Sequence, residues 1–350
     1  MPEVAVAGFA QAPNVRKTEG TTNGVEMLVP ILAEAFAATG LSKQDIGFWC
    51  SGSSDYLAGR AFSFIAAVDA LGAFPPINES HVEMDAAWAL YEAWLKIRTG
   101  EVDTALVYGF GKASAGQLRR VMAMQLDPYL VTPLSPDSLA IAGLQARLGL
   151  EGGLWSEKDL AEVAARARAD AVNNPAAQLS GTVDVAELLD TPYVADPLRA
   201  HDIAPVTDGA AVIILASEER ARDLVERPAI ISGLDHRIDS PVLGARDLTR
   251  SPSTAAAAAR LDLDGVELAE LHAPFTHQEL ILRRELDLDD RVRISPSGGA
   301  LTGNPMFSAG LARIGEAAAR IHRGEAAKAL AHATSGPALQ QNLLAVLEAR

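Results

Sequence analysis

The sequence predicts an α/β fold whose architecture is used twice along one chain. Short apolar runs alternate with helical patterns, the same alternation restarts beyond about residue 220, and one ten-residue stretch recurs in both halves. The chain has 350 residues, of which 49% are hydrophobic and 21% charged, so it has enough apolar material for a sizeable core. We therefore expect a globular protein with two comparable halves.

The first half has the pattern of strands separated by helices. Its predicted strands are Val4–Phe9, Ile46–Cys50 and Thr104–Tyr108, and its predicted helices are Asn23–Thr39, Ala61–Leu71 and Met84–Arg98. Thr99-Gly100 marks the end of the third helix, because glycine tolerates the left-handed backbone of a helix C-cap.

A long insertion interrupts the first half. From Ala113 to Pro205 the sequence is richer in charged residues and turn formers, with one helix predicted at Glu157–Val172. The strand-like run Ala210–Leu215 then resumes the core pattern.

The second half repeats the first. Its predicted strands are Ala229–Leu234, Val266–His272 and Lys328–Ala333. Ile97–Leu106 aligns without gaps on Ile321–Leu330, with the same Ile, Gly, Glu, Ala and Leu at matched places. We predict halves at residues 1–220 and 221–350, and a shared cleft formed by the loops that follow corresponding strands.

Composition excludes several classes of protein. The formal net charge of −15 disfavours a nucleic-acid partner, although it leaves room for a local basic entrance. The single cysteine, Cys50, excludes an internal disulfide framework and a cysteine-based metal site. No uncharged apolar run is long enough to span a membrane, so we expect a cytoplasmic protein.

Common cofactor and metal motifs are absent. In the loop Gly109–Ser114, Ser114 stands where a dinucleotide fingerprint needs its third glycine. There is no nucleophile elbow and no phosphate-binding P-loop. His272 and His277 lie five residues apart, which is not a same-face helical spacing. We therefore predict no metal and no bound cofactor.

Four stretches, in order, resemble the thiolase superfamily, in particular the sterol-carrier-protein thiolases, lipid-transfer proteins and steroid side-chain aldolases. They are Ser80–Leu90 with the following Thr99–Ser114, Val206–Val212, Glu270–Leu280, and Ser295–Gly299 with Gly303-Asn304-Pro305 and Ala309-Gly310. The resemblance covers most of the chain. It implies a duplicated five-layer α-β-α-β-α sandwich with the insertion covering the site.

Several residues differ from the catalytic residues of the family, and these differences bear on which reaction is possible. A thiolase needs a cysteine thiolate to carry the acyl group. A gapless alignment back from Ala89-Leu90 places Glu83 at that position. By the resemblance of the motifs, Asn304 stands in place of the G-H-P histidine, and His332 begins the segment His332–Gly336, which should carry the acid/base cysteine. Only His272 keeps the residue of the sterol-carrier subgroup. Thiolytic acyl transfer through a cysteinyl intermediate is thus disfavoured.

The resemblance implies roles for these residues, each with a structural alternative. Glu83 is either a general base in a dry cleft or a helix cap, and Asp85 is a second cap. His272 exchanges a proton with the substrate or donates to its oxygen, and Asn304 stabilises an oxyanion. His332 is a weaker catalytic candidate.

Two glycine-containing loops are predicted to bind substrate. They are Ser297-Gly298-Gly299 and Ser335-Gly336. The alternative is a purely structural role in tight backbone turns.

Three functions remain open. The first is retro-aldol cleavage of a β-hydroxy steroid side-chain acyl-CoA, which needs a base and enolate support but no covalent nucleophile. The second is a non-catalytic subunit that supports an active homologue and an acyl-CoA-binding partner, and the third is a residual acyltransferase. The resemblance implies a homodimer or a heteromer with a thiolase-like paralogue, a zinc-ribbon/OB-fold partner, and CoA only as part of the substrate.

Overall fold

A computed structural model describes residues 1–19, 24–55 and 62–350. The predicted starts of two helices, Asn23 and Ala61, lie outside these residues. The strands of the first half are β1 (Val4–Gln11), β2 (Phe48–Gly52), β3 (Glu79–Val82), β4 (Thr104–Lys112), β5 (Tyr193–Ala195), β6 (Leu198–Arg199) and β7 (Val206–Ser217). Those of the second half are β8 (Ala229–Ile238), β9 (Leu268–Glu270), β10 (Arg293–Ile294), β11 (Asn304–Pro305), β12 (Lys328–Ser335) and β13 (Gln341–Ala349).

Helices connect these strands. The described α-helices are α1 (Gly24–Thr39), α2 (Ser63–Leu71), α3 (Ala86–Arg98), α4 (Leu118–Ala123), α5 (Ser138–Glu151), α6 (Glu157–Asp170), α7 (Val185–Leu189), α8 (Glu218–Leu224), α9 (Pro252–Ala258), α10 (Thr276–Glu285) and α11 (Ala309–His322). Short 3₁₀ turns lie at Lys43–Asp45, Ala113–Ala115, Thr132–Leu134, Ala171–Asn173, Ala200–Asp202, Leu243–Ala245 and Ala300–Thr302.

The two halves have the same strand order. The first is β3-β2-β4-β7-β1 and the second is β10-β9-β12-β13-β8. In each half the first three strands of that order run parallel to one another. The fourth strand, β7 or β13, pairs antiparallel with both of its neighbours. The halves meet where β1 pairs with β8, through Ala5 with Ile230 and Val6 with Ala229. The architecture is therefore duplicated, as predicted from the sequence.

Five layers follow from how the helices cover the sheets. Helices α3 and α11 pack between the two halves of the sheet, in a core built largely of small and branched residues such as Ala89, Leu311 and Ala345. Helices α1 and α2 cover the outer face of the first half, and α9 and α10 cover that of the second. Alternate strand residues face opposite layers, so both faces are apolar and the strands have continuous hydrophobic sequences.

The insertion between β4 and β7 combines helices with long connecting segments. It contains α4, α5, α6 and α7 and the short hairpin β5-β6. Its helix α6 ends at Asp170, within two residues of the predicted end at Val172. Among the described residues, no helix is both long and apolar enough to cross a membrane.

Candidate active site

A cavity of about 280 Å³ lies between the insertion and segments of the second half that follow its strands, beside the N-cap of α3. Its wall is mostly apolar and includes Met122, Leu126, Ile141, Phe275 and Met306. Polar side chains reach it at the ends of strands from both halves, and these are Asp85, His272, Asn304, Thr334 and Ser335. Of the two loops predicted to share a cleft, Thr334-Ser335-Gly336 lines this cavity and Gly109-Phe110-Gly111 does not.

Asp85 is the only carboxylate among the described residues that line this cavity. It is 5% exposed and caps α3, because its Oδ1 accepts a hydrogen bond from the backbone N–H of Ala87 at 2.9 Å. The backbone N–H groups of Gly310 and Leu311, at the start of α11, donate to Oδ2 and Oδ1 at 2.9 and 3.0 Å. One carboxylate thus joins the N-termini of both central helices, one from each half.

The ionisation of Asp85 reflects two opposed influences. Burial raises the pKa of Asp85 above its ordinary value, whereas the three backbone donors and Arg313 act to lower it. A carboxylate has about four lone-pair positions, so three donors leave roughly one free for a ligand. One position therefore remains for a hydrogen bond with a molecule in the cavity.

His272 and Asn304 form a hydrogen-bonded pair that lines the same cavity as Asp85. The backbone N–H of Thr334 donates to His272 Nδ1 at 3.3 Å, so the ring proton lies on Nε2, which donates to Asn304 Oδ1 at 3.0 Å. Burial lowers the pKa of His272 to about 4, and the imidazole is neutral at pH 7. The Asn304 amide is consequently oriented, with Nδ2 left as its hydrogen-bond donor.

Strand pairing places Asn304 in this position. Asn304 lies in β11 opposite Val206 of β7, and its backbone N–H donates to Thr207 Oγ1 at 2.9 Å. His272 lies two residues beyond β9, where its N–H donates to the carbonyl of His332 in β12. The pair is therefore held between a strand of the first half and two strands of the second.

His332 does not line the cavity. It is fully buried in β12, and its Nε2 donates to Asn342 Oδ1 at 2.9 Å, with Asn342 in turn donating to Ser251, Ser253 and Leu339. Burial lowers the pKa of His332 to about 3. Its contacts are those of a structural residue behind His272.

Glu83 lies outside the cavity. Its side chain is exposed and accepts a hydrogen bond from Ser54 Oγ at 3.0 Å. Glu83 is therefore not enclosed in a dry cleft, as we had expected it to be. Asp85, two residues later, lines the cavity instead. The predicted helix start at Met84 is two residues early, because Asp85 is the N-cap of α3 and the helix begins at Ala86.

Only one of the two loops predicted to bind substrate lies at the cavity. Ser335 and Gly336 line the cavity, but Ser297, Gly298 and Gly299 do not. Ser297 is 1% exposed and donates to Glu270, which is also paired with Arg313 in the interior.

Close packing explains the glycines of the Ser297 loop. Gly298 has φ +92°, and a Cβ there would lie 2.6 Å from that of Ala171. A substrate contact by this loop is not supported by its position, because the loop packs against the insertion instead.

A cationic surface adjoins the cavity on a protein of net charge −15. Arg16, Lys17, Arg119 and Arg120 line a shallow depression, here called the cationic mouth, that shares Leu118, Arg119 and Val206 with the cavity wall. Arg119 pairs with Asp137, whereas the other three form no ion pair within the described residues. No periodic pattern in the sequence indicates this cluster, because its two parts lie about a hundred residues apart.

Asp208 holds the two parts of the cationic mouth together. It is fully buried and accepts hydrogen bonds from the N–H and hydroxyl of Thr18 and from those of Ser114. Thr18 follows Lys17, and Ser114 precedes α4. This contact gives a physical reason for the aspartate and serine in two of the motifs noted in the sequence.

Neither a metal site nor a reactive thiol is evident among the described residues. No cluster of three His, Cys, Asp or Glu side chains suited to a metal occurs in that part of the chain. Cys50 is buried in β2 and does not line the cavity, and burial and Glu92 raise the pKa of its thiol. The chemical groups of the cavity include a carboxylate, a neutral imidazole and an oriented amide.

Comparisons with known proteins agree with the fold. No protein-family model matches the chain. It is 29% identical to the acetyl-CoA acetyltransferase of Methanothermobacter thermautotrophicus over 72% of this chain and 73% of that protein. It is 26% identical to the 17-hydroxy-3-oxo-4-pregnene-20-carboxyl-CoA lyase of Mycobacterium tuberculosis over 65% of this chain and 61% of the lyase.

Solved structures match over nearly the whole chain. An Ltp2-ChsH2(DUF35) aldolase chain superposes with a TM-score of 0.81 at 18% identity, covering 99% of this chain and 98% of that one. Human mitochondrial 3-ketoacyl-CoA thiolase gives 0.80 at 16% identity, with 99% and 98% covered. The sequence similarities are to proteins of the thiolase superfamily. The solved structures and the duplicated strand order show that the chain has the thiolase fold.

Proposed function

We propose that this chain binds an acyl-CoA thioester and cleaves a carbon–carbon bond in its acyl part by a retro-aldol reaction. The observation that carries the proposal is the meeting of Asp85 and the His272–Asn304 pair in one apolar cavity that opens beside the cationic mouth. The similarity to the acetyltransferase and the lyase, both named for CoA thioesters, supports the substrate class.

The cationic mouth suits the phosphates of CoA. Arg16, Lys17 and Arg120 are exposed and lack carboxylate partners within the described residues, so their charge is available to an anion. The apolar cavity next to it suits an acyl chain, because burial of apolar surface there yields about 25 cal/mol per Å². A ligand with anionic phosphates at one end and an apolar chain at the other matches the cationic mouth and the cavity.

The proposed chemistry uses a β-hydroxyacyl group. Asp85 takes the proton of the β-hydroxyl group, the Cα–Cβ bond breaks, and its electron pair moves into the thioester as an enolate. A ketone or aldehyde leaves, and protonated Asp85 returns the proton to Cα of the shortened acyl-CoA. Atoms and charge balance without a covalent intermediate or an added oxidant.

Asn304 stabilises the enolate in the proposed reaction. The Nδ2–H of Asn304 donates to the thioester oxygen as negative charge develops there. His272 acts as a positioning residue, because its Nε2–H holds Asn304 Oδ1 and so turns the donor of the amide away from the ring. The neutral state of His272 suits that task better than proton transfer.

A second function is favoured by a different observation. Both Asp85 and His272 already have protein partners: Asp85 has three backbone donors, and His272 has Thr334 and Asn304. Such saturation is also what a centre that has lost its activity would show. The alternative is therefore a non-catalytic, acyl-CoA-binding subunit of an active homologue.

Partners belong to the proposal as well. A homodimer, or a heteromer with a thiolase-like paralogue, would form on the free edge of β3, which ends the sheet among the described strands. The aldolase neighbour is named for two components, Ltp2 and ChsH2(DUF35), which supports our proposal of an additional acyl-CoA-binding partner for this chain.

One experiment separates the two functions. The protein is isolated from its native host and incubated with a β-hydroxy steroid-acyl-CoA in the absence of free CoA, and carbonyl product and short acyl-CoA are measured by mass spectrometry. Equal amounts of both products from the isolated homomeric chain support the lyase. Products that appear only with a co-purified homologue, and that survive Asp85→Asn, support the non-catalytic subunit.

A further inference from the structure

A buried chain of amide groups leads from the backbone to the cavity wall. It starts at the carbonyl oxygen of Leu248, which accepts a hydrogen bond from Gln145 Nε2 at 2.8 Å. Gln145 Oε1 accepts in turn from Gln278 Nε2 at 3.1 Å and from His277 Nε2 at 3.0 Å. Gln145 is fully buried on α5, and Gln278 is 4% exposed in the first turn of α10.

The direction of this chain is fixed by its first member. A backbone carbonyl can only accept, so Gln145 must present its Nε2 to Leu248 and its Oε1 to Gln278. Gln278 must then present Nε2 to Gln145. Its own carbonyl oxygen, Oε1, is the remaining end of the chain.

That last oxygen lacks a donor. Gln278 Oε1 is buried and has no hydrogen-bond partner among the described residues, although Gln278 lines the cavity. A buried acceptor left unpaired is unfavourable, so a ligand in the cavity whose donor reaches this oxygen gains affinity. The surrounding wall is apolar, with Ile141, Ala142 and Phe275 also lining the cavity.

We propose that Gln278 is a specificity-determining residue that selects acyl groups carrying a hydrogen-bond donor, such as a hydroxyl group, over those carrying a ketone at the same carbon. A hydroxyl group donates to Oε1, whereas a ketone oxygen would meet it acceptor to acceptor. The inference rests on the proposed function only in taking the cavity as the acyl site.

The probes are matched pairs of CoA thioesters. Alkanoyl-CoA compounds of six, eight and ten carbons carry either a hydroxyl group or a ketone at the penultimate carbon, and their dissociation constants are measured by calorimetry. We expect the alcohol of at least one chain length to bind about tenfold to a hundredfold more tightly than its ketone. Three lengths are needed because the reach from the thioester to Gln278 differs among them.

Variants assign the preference to one residue. Gln278→Leu and Gln278→Met remove the acceptor at similar volume and leave Gln145 Oε1 with its second donor, His277. Both variants should bring the alcohol-to-ketone ratio to within about twofold of one. Gln125→Leu makes the same change at another glutamine of the cavity wall and should preserve the wild-type ratio.

Two results would overturn the role of Gln278: equal or inverted affinities in the wild-type protein, or an unchanged ratio in both Gln278 variants. The same pairs are also measured as methyl esters, which need no cationic mouth. A preference for the alcohol among the esters, with no affinity for the thioesters, keeps the inference and contradicts acyl-CoA binding instead.

Discussion

Replacing Asp85 by asparagine should destabilise the fold as well as the site. Asparagine keeps one carbonyl oxygen and puts an NH₂ group where the other oxygen was, so at least one of the N–H groups of Ala87, Gly310 and Leu311 faces a donor. One buried unsatisfied donor costs about 1–3 kcal/mol, and the lost charge at two helix N-termini costs about 0.3–1 kcal/mol each. Removal of a buried charge offsets part of this, which leaves roughly 2–3 kcal/mol.

The measurement is the free energy of unfolding in urea at pH 7.5. Asp184→Asn provides the matched control, because Asp184 caps α7 on the surface, where its carboxylate accepts from Ala186 N–H at 2.6 Å. Aspartate and asparagine cap about equally well, so that variant should stay within about 0.5 kcal/mol of the wild type. An Asp85→Asn protein as stable as the wild type would refute the idea that this carboxylate joins α3 and α11.

Three further predictions follow from the contacts around the cavity. Burial lowers the pKa of His272 to about 4 and those of His277 and His332 to about 3, so below pH 6.5 the unfolded chain takes up protons that the folded chain cannot. The three histidines together should therefore lower the free energy of unfolding on acidification between about pH 6 and 4, by up to about 4 kcal/mol per pH unit. Urea midpoints measured at pH 7.5 and 5.5 check this, and equal midpoints would contradict it. Asn304→Asp removes the proposed donor and should lower kcat by about 10²–10³ with little change in KM, and an unchanged kcat would exclude the donor role. Raising ionic strength should weaken the binding of a CoA thioester more than that of the phosphate-free thioester of N-acetylcysteamine, and equal salt dependence would argue against the cationic mouth.

The architecture was predictable because strands, helices and the repeated stretch are local signals. Buried strands such as β4 have unbroken apolar runs, and the glycines that end the helices before β4 and β12 have φ +75° at both Gly100 and Gly324, where glycine has little steric penalty. The matching order of strands then follows from duplication. The proposed boundary at residue 220 remains a prediction, although the change from β7 to β8 falls between Ser217 and Ala229.

The site was only partly predictable. His272 and Asn304 were found through motifs, but their pairing depends on β11 lying beside β7, which no local pattern indicates. The cap role of Asp85 was predicted, since an aspartate before Ala86-Ala87 is a helix-start signal, and the structure confirms it. Its contact with Gly310 could not be predicted, because the two residues are far apart in the sequence.

The unpaired acceptor oxygen of Gln278 could not be predicted from the sequence. Its orientation depends on α5, on α10 and on the carbonyl of Leu248, which belong to three separate parts of the chain. A glutamine in an amphipathic helix is ordinary by composition. Only the direction of the hydrogen bonds shows that its oxygen lacks a donor.

In the proposed mechanism Asp85, and not Glu83, is the base of the retro-aldol cleavage. The most direct test compares the rate of short acyl-CoA release from a β-hydroxy steroid-acyl-CoA in the wild-type protein, Asp85→Asn and Glu83→Gln, each first shown to be folded at the assay temperature. We predict a loss of about 10²–10⁴ for Asp85→Asn and a rate within about twofold of the wild type for Glu83→Gln, whose side chain is exposed outside the cavity. Equal rates in all three proteins, or a loss confined to Glu83→Gln, would contradict this assignment.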